Sequence, residues 1–241
     1  MKALITAAGL GTRMGNITTN TNKCLLTVGG KSLLRNLVNV FKEQGISEIF
    51  VITGHCAELV EKELQGEVTF IHNKDYASTS ILGSITLAEK YLKGTEFIFI
   101  TGDSLLHPQL IKRMVNFENK ENILLSVDIK RCDEEDMKII IKEGLIIDIS
   151  KKISIMEATG EYTGLTYFPA DASGAFFNLI EQYLKQESKN QYVAQMLLLL
   201  QHKGFKPVPI YTEGLPRIEI DYPEDLDLAQ ELYTLFPGKG K

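Results

Sequence analysis

The chain opens on a short apolar run that ends abruptly in glycine: Ala3-Leu4-Ile5-Thr6-Ala7-Ala8, then Gly9-Leu10-Gly11-Thr12-Arg13-Met14-Gly15. A run this brief and continuous reads as a strand buried on both faces, and such strands belong to parallel sheets covered by helices on each side. Glycines after the strand allow positive φ and leave backbone N–H groups bare, so an anion can approach them closely. Arg13 adds a forked, permanent positive charge suited to phosphate oxygens, and Lys23, beyond the polar stretch 16–22, adds a compact one. The opening therefore reads as a cradle for a polyphosphate. It lacks the third glycine of the dinucleotide fingerprint and the Gly-Lys-Ser/Thr of a P-loop.

The pattern continues as strand and helix in alternation. Ser32 is placed to cap a helix from Leu33 to Gly45, with Leu34, Leu37, Val38 and Phe41 on one face. Strands are expected at 48–54, 68–71 and 96–101, with helices at 57–64 and 81–92 between them. In the second half the rhythm changes. Strands are expected at 122–129, 137–141, 145–149 and 162–168, the middle two forming a hairpin through Lys142-Glu143-Gly144. Helices at 172–186 and 192–203, a strand at 208–211 and a helix opening at Pro223 complete the order. The expected fold is α/β: a Rossmann-like, doubly wound, mostly parallel sheet elaborated by antiparallel hairpins, as a single domain over 1–236. Residues 237–241 read as a disordered tail or a linker. In such sheets ligands bind at the carboxyl ends of strands, where both Gly9–Arg13 and Gly102-Asp103 fall.

Composition narrows the function. A net charge of −5 offers no basic field for nucleic acid. Three cysteines, Cys24, Cys56 and Cys132, lack metal-ligand spacing and read as reduced thiols of a cytoplasmic protein. No apolar run reaches membrane length, so no membrane insertion is expected. Nothing in the composition chooses between a monomer and a homodimer. The histidines are scattered, and Asp133-Glu134-Glu135-Asp136 reads as a solvated turn.

Two carboxylates stand out. Asp103 follows a buried strand and a glycine, a place from which it can bind Mg²⁺ or cap a helix. Spacing alone favours the cap. Asp221, ahead of Tyr222-Pro223-Glu224-Asp225-Leu226, reads as an N-terminal cap.

Ala7-Ala8-Gly9-Leu10-Gly11-Thr12-Arg13-Met14, followed by Asn22-Lys23-Cys24-Leu25, resembles the signature of the nucleotidyltransferases that activate sugar phosphates and related phosphate esters. That pattern is Gly-x-Gly-Thr-Arg, a spacer, then Pro-Lys-x-Leu, and Asn22 stands where proline is usual. The resemblance implies the nucleotide-diphospho-sugar transferase fold, and it turns Asp103 and Asp221 into the metal aspartates, with Mg²⁺ as cofactor and Glu219 in an outer shell. Arg13 and Lys23 become the catalytic cations. The nucleotide is implied to contact Ala7, Ala8, Gly9, Leu10, Gly11, Thr12, Arg13 and Lys23, together with Asn73, Thr79, Ser80 and Gly102. His72 to Ser80 and Gly160-Glu161-Tyr162-Thr163-Gly164 are similar to segments of the CTP-dependent enzymes acting on phosphocholine and 2-aminoethylphosphonate. CTP and a small phosphate or phosphonate ester are thus the implied partners, with Tyr76, Lys152, Glu161 and Tyr162 toward the acceptor.

The acceptor phosphate is already largely ionised near neutral pH, since its second pKa is about 6. It needs positioning and charge neutralisation more than a general base. The chain has no Trp, the best face for a quaternary ammonium; Tyr76, Tyr162 and Tyr167 are the candidate substitutes. The rival readings are a sugar-1-phosphate nucleotidyltransferase using UTP, GTP or dTTP, and a nucleotide sensor that kept the fold. The presence of Arg13, Lys23, Asp103 and Asp221 together disfavours the sensor.

Overall fold

A computed structural model describes residues 1–185 and 192–237. The strands and helices, in chain order, begin with β1 (Lys2–Ala7), a tight hairpin of β2 (Thr27–Val28) and β3 (Lys31–Ser32), α1 (Leu33–Glu43), β4 (Ile49–Thr53), α2 (Ala57–Glu63) and β5 (Thr69–His72). They continue with α3 (Ile81–Thr86), α4 (Glu89–Leu92), β6 (Phe97–Thr101), β7 (Ser104–Leu106), α5 (Pro108–Val115) and β8 (Ile123–Asp128). The remainder comprises β9 (Lys138–Lys142), β10 (Leu145–Ser150), β11 (Gly160–Phe168), α6 (Ala170–Leu184), α7 (Val193–Gln201), β12 (Pro207–Tyr211), β13 (Arg217–Glu219) and α8 (Pro223–Tyr233).

β1 lies between β4 and β6, parallel to both, and β5 extends the same parallel layer from β4. These are the apolar runs of the first half, and their side chains are divided between two cores. Leu4, Ile52, Phe97 and Phe99 pack under α3, α6 and α7, while Ala3, Ile5, Val51, Ile98 and Ile100 pack under α1 and α5. Alternate residues of one strand feeding opposite cores is what a doubly covered sheet requires. Ser32 caps α1 by accepting from the Arg35 amide at 3.0 Å, and Gly45, at φ +79°, stops it.

The second half adds antiparallel strands. β11 pairs antiparallel with β6 through 166–168, with β8 along both of its ends, and with β9 through Gly160 and Glu161. β9 and β10 form the expected hairpin, turning on Glu143 and Gly144, both at positive φ, the pattern of a type I′ turn. β12 pairs parallel with β8.

Several elements depart from the sequence pattern. The helix expected over 81–92 breaks into α3 and α4 around Leu87 and Ala88. The short ribbon of β7 and β13 was not legible, nor was α5, whose start is capped by His107 accepting from the Gln109 amide. The expected end of one helix at Gln186 and the tail at 238–241 lie outside the described residues. Among the described residues no helix is long and apolar enough to cross a membrane, and all three cysteines are free thiols.

Candidate active site

Three chain segments converge at one end of the sheet. β1 runs into the glycine loop, β6 into Gly102 and Asp103, and β13 into Asp221. The Gly102 amide donates to the Thr6 carbonyl at 2.8 Å, and a Cβ on Gly102 would come within 3.1 Å of that same oxygen, so glycine permits the close approach. The β7–β13 ribbon sets Glu219 opposite Ser104, and the Ile220 amide donates to the Asp103 carbonyl at 3.0 Å. Alternation along β13 sends Ile218 and Ile220 into the small core beneath α8, which leaves Glu219 and Asp221 on the other face. One carboxylate oxygen from each of Asp103, Glu219 and Asp221 consequently lies within 4.8 Å of the others.

Lys23 reaches into this cluster from the turn that follows Asn22. Its Nζ lies 2.6 Å from Asp103 Oδ2 and 2.9 Å from Asp221 Oδ1, while Arg13 Nη1 lies 2.7 Å from Asp221 Oδ2. Burial works against the Lys23 charge, but Asp103 and Asp221 outweigh it and hold the ammonium's pKa above the ordinary lysine range. Burial likewise opposes the Asp221 charge, and the hydrogen bond and charge of Lys23, with Arg13 and Lys151, overcome it and hold Asp221 low. Glu219 is pushed upward, by the protein packed round its carboxyl and then by the negative charges of Asp103 and Asp221. The residue is exposed and lines a cavity, and a cation bound there would relieve the like-charge repulsion.

Those residues fit a divalent metal. Asp103 Oδ1 is buried and has no hydrogen-bond partner, a state that ordinarily costs about 1–3 kcal/mol. The available donors are all carboxylate oxygens, the set preferred by Mg²⁺ over softer metals. Glu219 is a full member of the cluster, closer in than the outer shell expected for it. Its signal was present in the sequence as the alternation Arg217, Glu219, Asp221 between apolar residues.

The glycine loop opens beside the carboxylates. Gly11 adopts φ +64° and its carbonyl accepts from the Thr18 hydroxyl at 2.8 Å, while a Cβ on Gly9 would meet nothing within 4 Å. A cavity of about 120 Å³ lies among Gly9, Gly11, Lys23 and Asp103. A second, of about 260 Å³, runs from Ala8 and Gly9 past Tyr76 and Thr79 to Asp103 and Glu219. Ala7 and Ala8 are buried at the root of the loop, whereas Leu10, Thr12 and Arg13 are exposed along it. Asn73 does not face either cavity. It is buried, its amide donates to the hydroxyls of Thr79 and Ser84 at 2.9 Å each, and its oxygen accepts from Asp75, so it orders the loop that carries Thr79. Ser80 caps α3 by accepting from the Gly83 amide.

The residues expected at the acceptor separate. Glu161, at the start of β11, is paired with Arg217 and with Lys130, whose Nζ lies 3.0 Å away. Tyr76 lines the larger cavity. Tyr162 is buried among the core residues with its hydroxyl donated to the Gly164 carbonyl at 3.0 Å and paired with Thr166, so it does not present itself to the cleft. Tyr167 is buried as well and bonded to Glu96. Lys152 is exposed, and it is Lys151 whose charge is felt at Asp221. Arg217 and Lys130 were not anticipated; Lys130 has no recognisable local signal.

Comparison with known proteins assigns the class. Residues 3–197 match the MobA-like NTP transferase domain, and the chain belongs to that family. It is a nucleotidyltransferase. Over 96% of its length it is 24% identical to the whole CTP:phosphoglutamine cytidylyltransferase of Campylobacter jejuni. It is 28% identical, again over 96% of its length and 98% of the relative's, to the choline-phosphate cytidylyltransferase of Streptococcus pneumoniae. In fold it is similar to the inositol-1-phosphate CTP transferase of T. maritima, with a TM-score of 0.81 at 21% identity, covering 98% of this chain and 96% of that one.

Proposed function

We propose that the chain transfers a cytidylyl group from CTP to a small phosphate or phosphonate monoester and releases pyrophosphate, with Mg²⁺ as cofactor. The observation that carries this is the clustered oxygens of Asp103, Glu219 and Asp221, with Asp103 Oδ1 unpartnered, at the mouth of a bare glycine loop flanked by Arg13 and Lys23. CTP is favoured over other nucleotides because two relatives that match along 96% of the chain are named as cytidylyltransferases.

In the reaction an acceptor phosphate oxygen attacks the α-phosphorus, and the bond from that phosphorus to the bridging oxygen breaks. Pyrophosphate leaves with the bonding electrons. The acceptor is already an anion, so no proton has to be removed. The chain's task is to hold two anions together and to meet the charge growing on the leaving group. Arg13 and Lys23 supply fixed positive charge beside the loop, and the loop's backbone N–H groups supply dipoles. Asp103, Glu219 and Asp221 would hold the Mg²⁺, which when bound neutralises phosphate charge as a Lewis acid.

At the acceptor end, Tyr162 and Tyr167 are committed to the core, which leaves Tyr76 alone of the candidate cage. One tyrosine without Trp is a poor quaternary ammonium site. The mixed charges of Glu161, Arg217 and Lys130 suit an acceptor carrying an amine, an amide or hydroxyls. The test is pyrophosphate release with Mg²⁺ across ATP, GTP, CTP, UTP and dTTP, against phosphocholine, 2-aminoethylphosphonate, phosphoethanolamine, inositol phosphate and sugar 1-phosphates. Turnover restricted to CTP and a non-sugar, non-quaternary acceptor is expected. Turnover with UTP or dTTP and a sugar 1-phosphate would overturn the proposal.

A further inference from the structure

Asn22 precedes Lys23 and is buried, with only 2% of its surface exposed. A buried carboxamide must satisfy both N–H bonds and its oxygen, and this one does so against three separate segments. Its Nδ2 donates to the Ala7 carbonyl and to the His55 carbonyl, each at 2.9 Å, and its Oδ1 accepts from the Cys24 amide at 3.1 Å. Ala7 is the root of the glycine loop, His55 lies in the turn from β4 to α2, and Cys24 belongs to the short 3₁₀ turn that presents Lys23. The neighbouring Ala8 carbonyl accepts from the His55 amide at 3.1 Å, which closes a ring of contacts around the same point.

We propose that Asn22 is a positioning residue for triphosphate binding: it fixes the distance between the Lys23 ammonium and the bare amides of the glycine loop, so that one triphosphate meets both. This rests on the nucleotidyl-transfer reading given above. The backbone of Asn22, at φ −90° and ψ 144°, is extended and near what proline adopts. The proline usual here in the family pattern would stiffen the backbone but tie none of the three segments together. In this chain the carboxamide ties all three. Asn22 itself touches no reacting atom.

Two substitutions separate the possibilities, with the KM for CTP, the KM for the acceptor and the Kd for CTP with Mg²⁺ as readouts. Asn22→Asp keeps the size and the acceptor for Cys24 but loses both donors and turns an anion toward two carbonyl oxygens. Asn22→Pro keeps the extended backbone and loses all three bonds. Each is expected to raise the KM and Kd for CTP at least about tenfold while the acceptor KM stays within about twofold. The Asn22→Asp defect, measured relative to wild type, is expected to shrink as pH falls toward 5, because a protonated carboxyl donates again. Either variant folding with a normal Kd for CTP would overturn the inference, as would equal damage to both substrates. Failure of both to fold would make Asn22 a folding residue and overturn it too. A wild-type protein that binds CTP but turns over nothing would sink the nucleotidyl-transfer reading instead, while the Kd ratios would still judge Asn22.

Discussion

Two regions beside the carboxylate cluster are built differently. The proposed triphosphate end is made from strand termini: β1, β6 and β13 deliver Gly9, Asp103 and Asp221 to one place, and backbone hydrogen bonds between those segments hold them. The region around Glu161, the proposed acceptor end, is made from side chains. Glu161, Arg217, Lys130 and Asp136 hold each other through ion pairs, and the turn at 133–136 is closed over a buried lysine. Lys138 is fully buried, and its ammonium donates to the carbonyls of Asp133, Glu134 and Asp136. Two lysines thus do opposite work. Lys23 faces carboxylates that a metal and a triphosphate would take over, whereas Lys138 is spent on backbone and is unavailable to a ligand. A frame set by strand ends tolerates little change in geometry, and one set by side-chain pairs can vary its acceptor without disturbing the nucleotide.

That difference can be broken experimentally. The largest effect is expected for Asp103→Ala and Asp221→Ala, each lowering metal-dependent turnover by roughly 10²–10³-fold with the thermal midpoint little changed. Near-normal pyrophosphate release from either would dissolve the cluster as a functional unit. Lys23→Ala should cost about 10²-fold in kcat/KM for CTP, and Lys23→Arg should not restore it, because a compact ammonium sits between two carboxylates where a planar fork does not fit. At the other end, Arg217→Ala should raise the acceptor KM about tenfold and leave the CTP KM alone; an equal rise in both would merge the two ends into one site. Smallest in its effect on turnover is Lys138→Met. Removing the buried ammonium that ties three carbonyls of the turn together should cost about 1–3 kcal/mol of stability, read as a lower thermal midpoint, with the CTP KM unchanged.

The same contrast explains what could be read from the chain. The proposed triphosphate end is contiguous in sequence, with strand, glycines, Arg13 and Lys23 inside one short stretch, so residue chemistry and order point to it. Asp103 was equally legible as a carboxylate at a strand end. Asp221 was marked through the family resemblance, but its meeting with Asp103 rests on the β7–β13 ribbon, whose strands of three residues announce no pairing. Asn73 and Tyr162 show the limit. The resemblance implied a ligand contact for each, but burial commits the Asn73 amide to Thr79 and Ser84 and the Tyr162 hydroxyl to Gly164. The acidic turn at 133–136 is largely exposed, as its charges imply, while the cation beneath it is invisible to a local pattern.

The central claim, that Asp103, Glu219 and Asp221 form the metal site beside the triphosphate cradle, is tested most directly by Mn²⁺ binding. Electron paramagnetic resonance would follow free Mn²⁺ titrated against wild-type, Asp103→Asn and Glu219→Gln proteins, with and without CTP. The account predicts wild-type binding that tightens when CTP is added. It predicts loss of that binding in Asp103→Asn and about 10–100-fold weakening in Glu219→Gln. Mn²⁺ binding unchanged in both variants would contradict it.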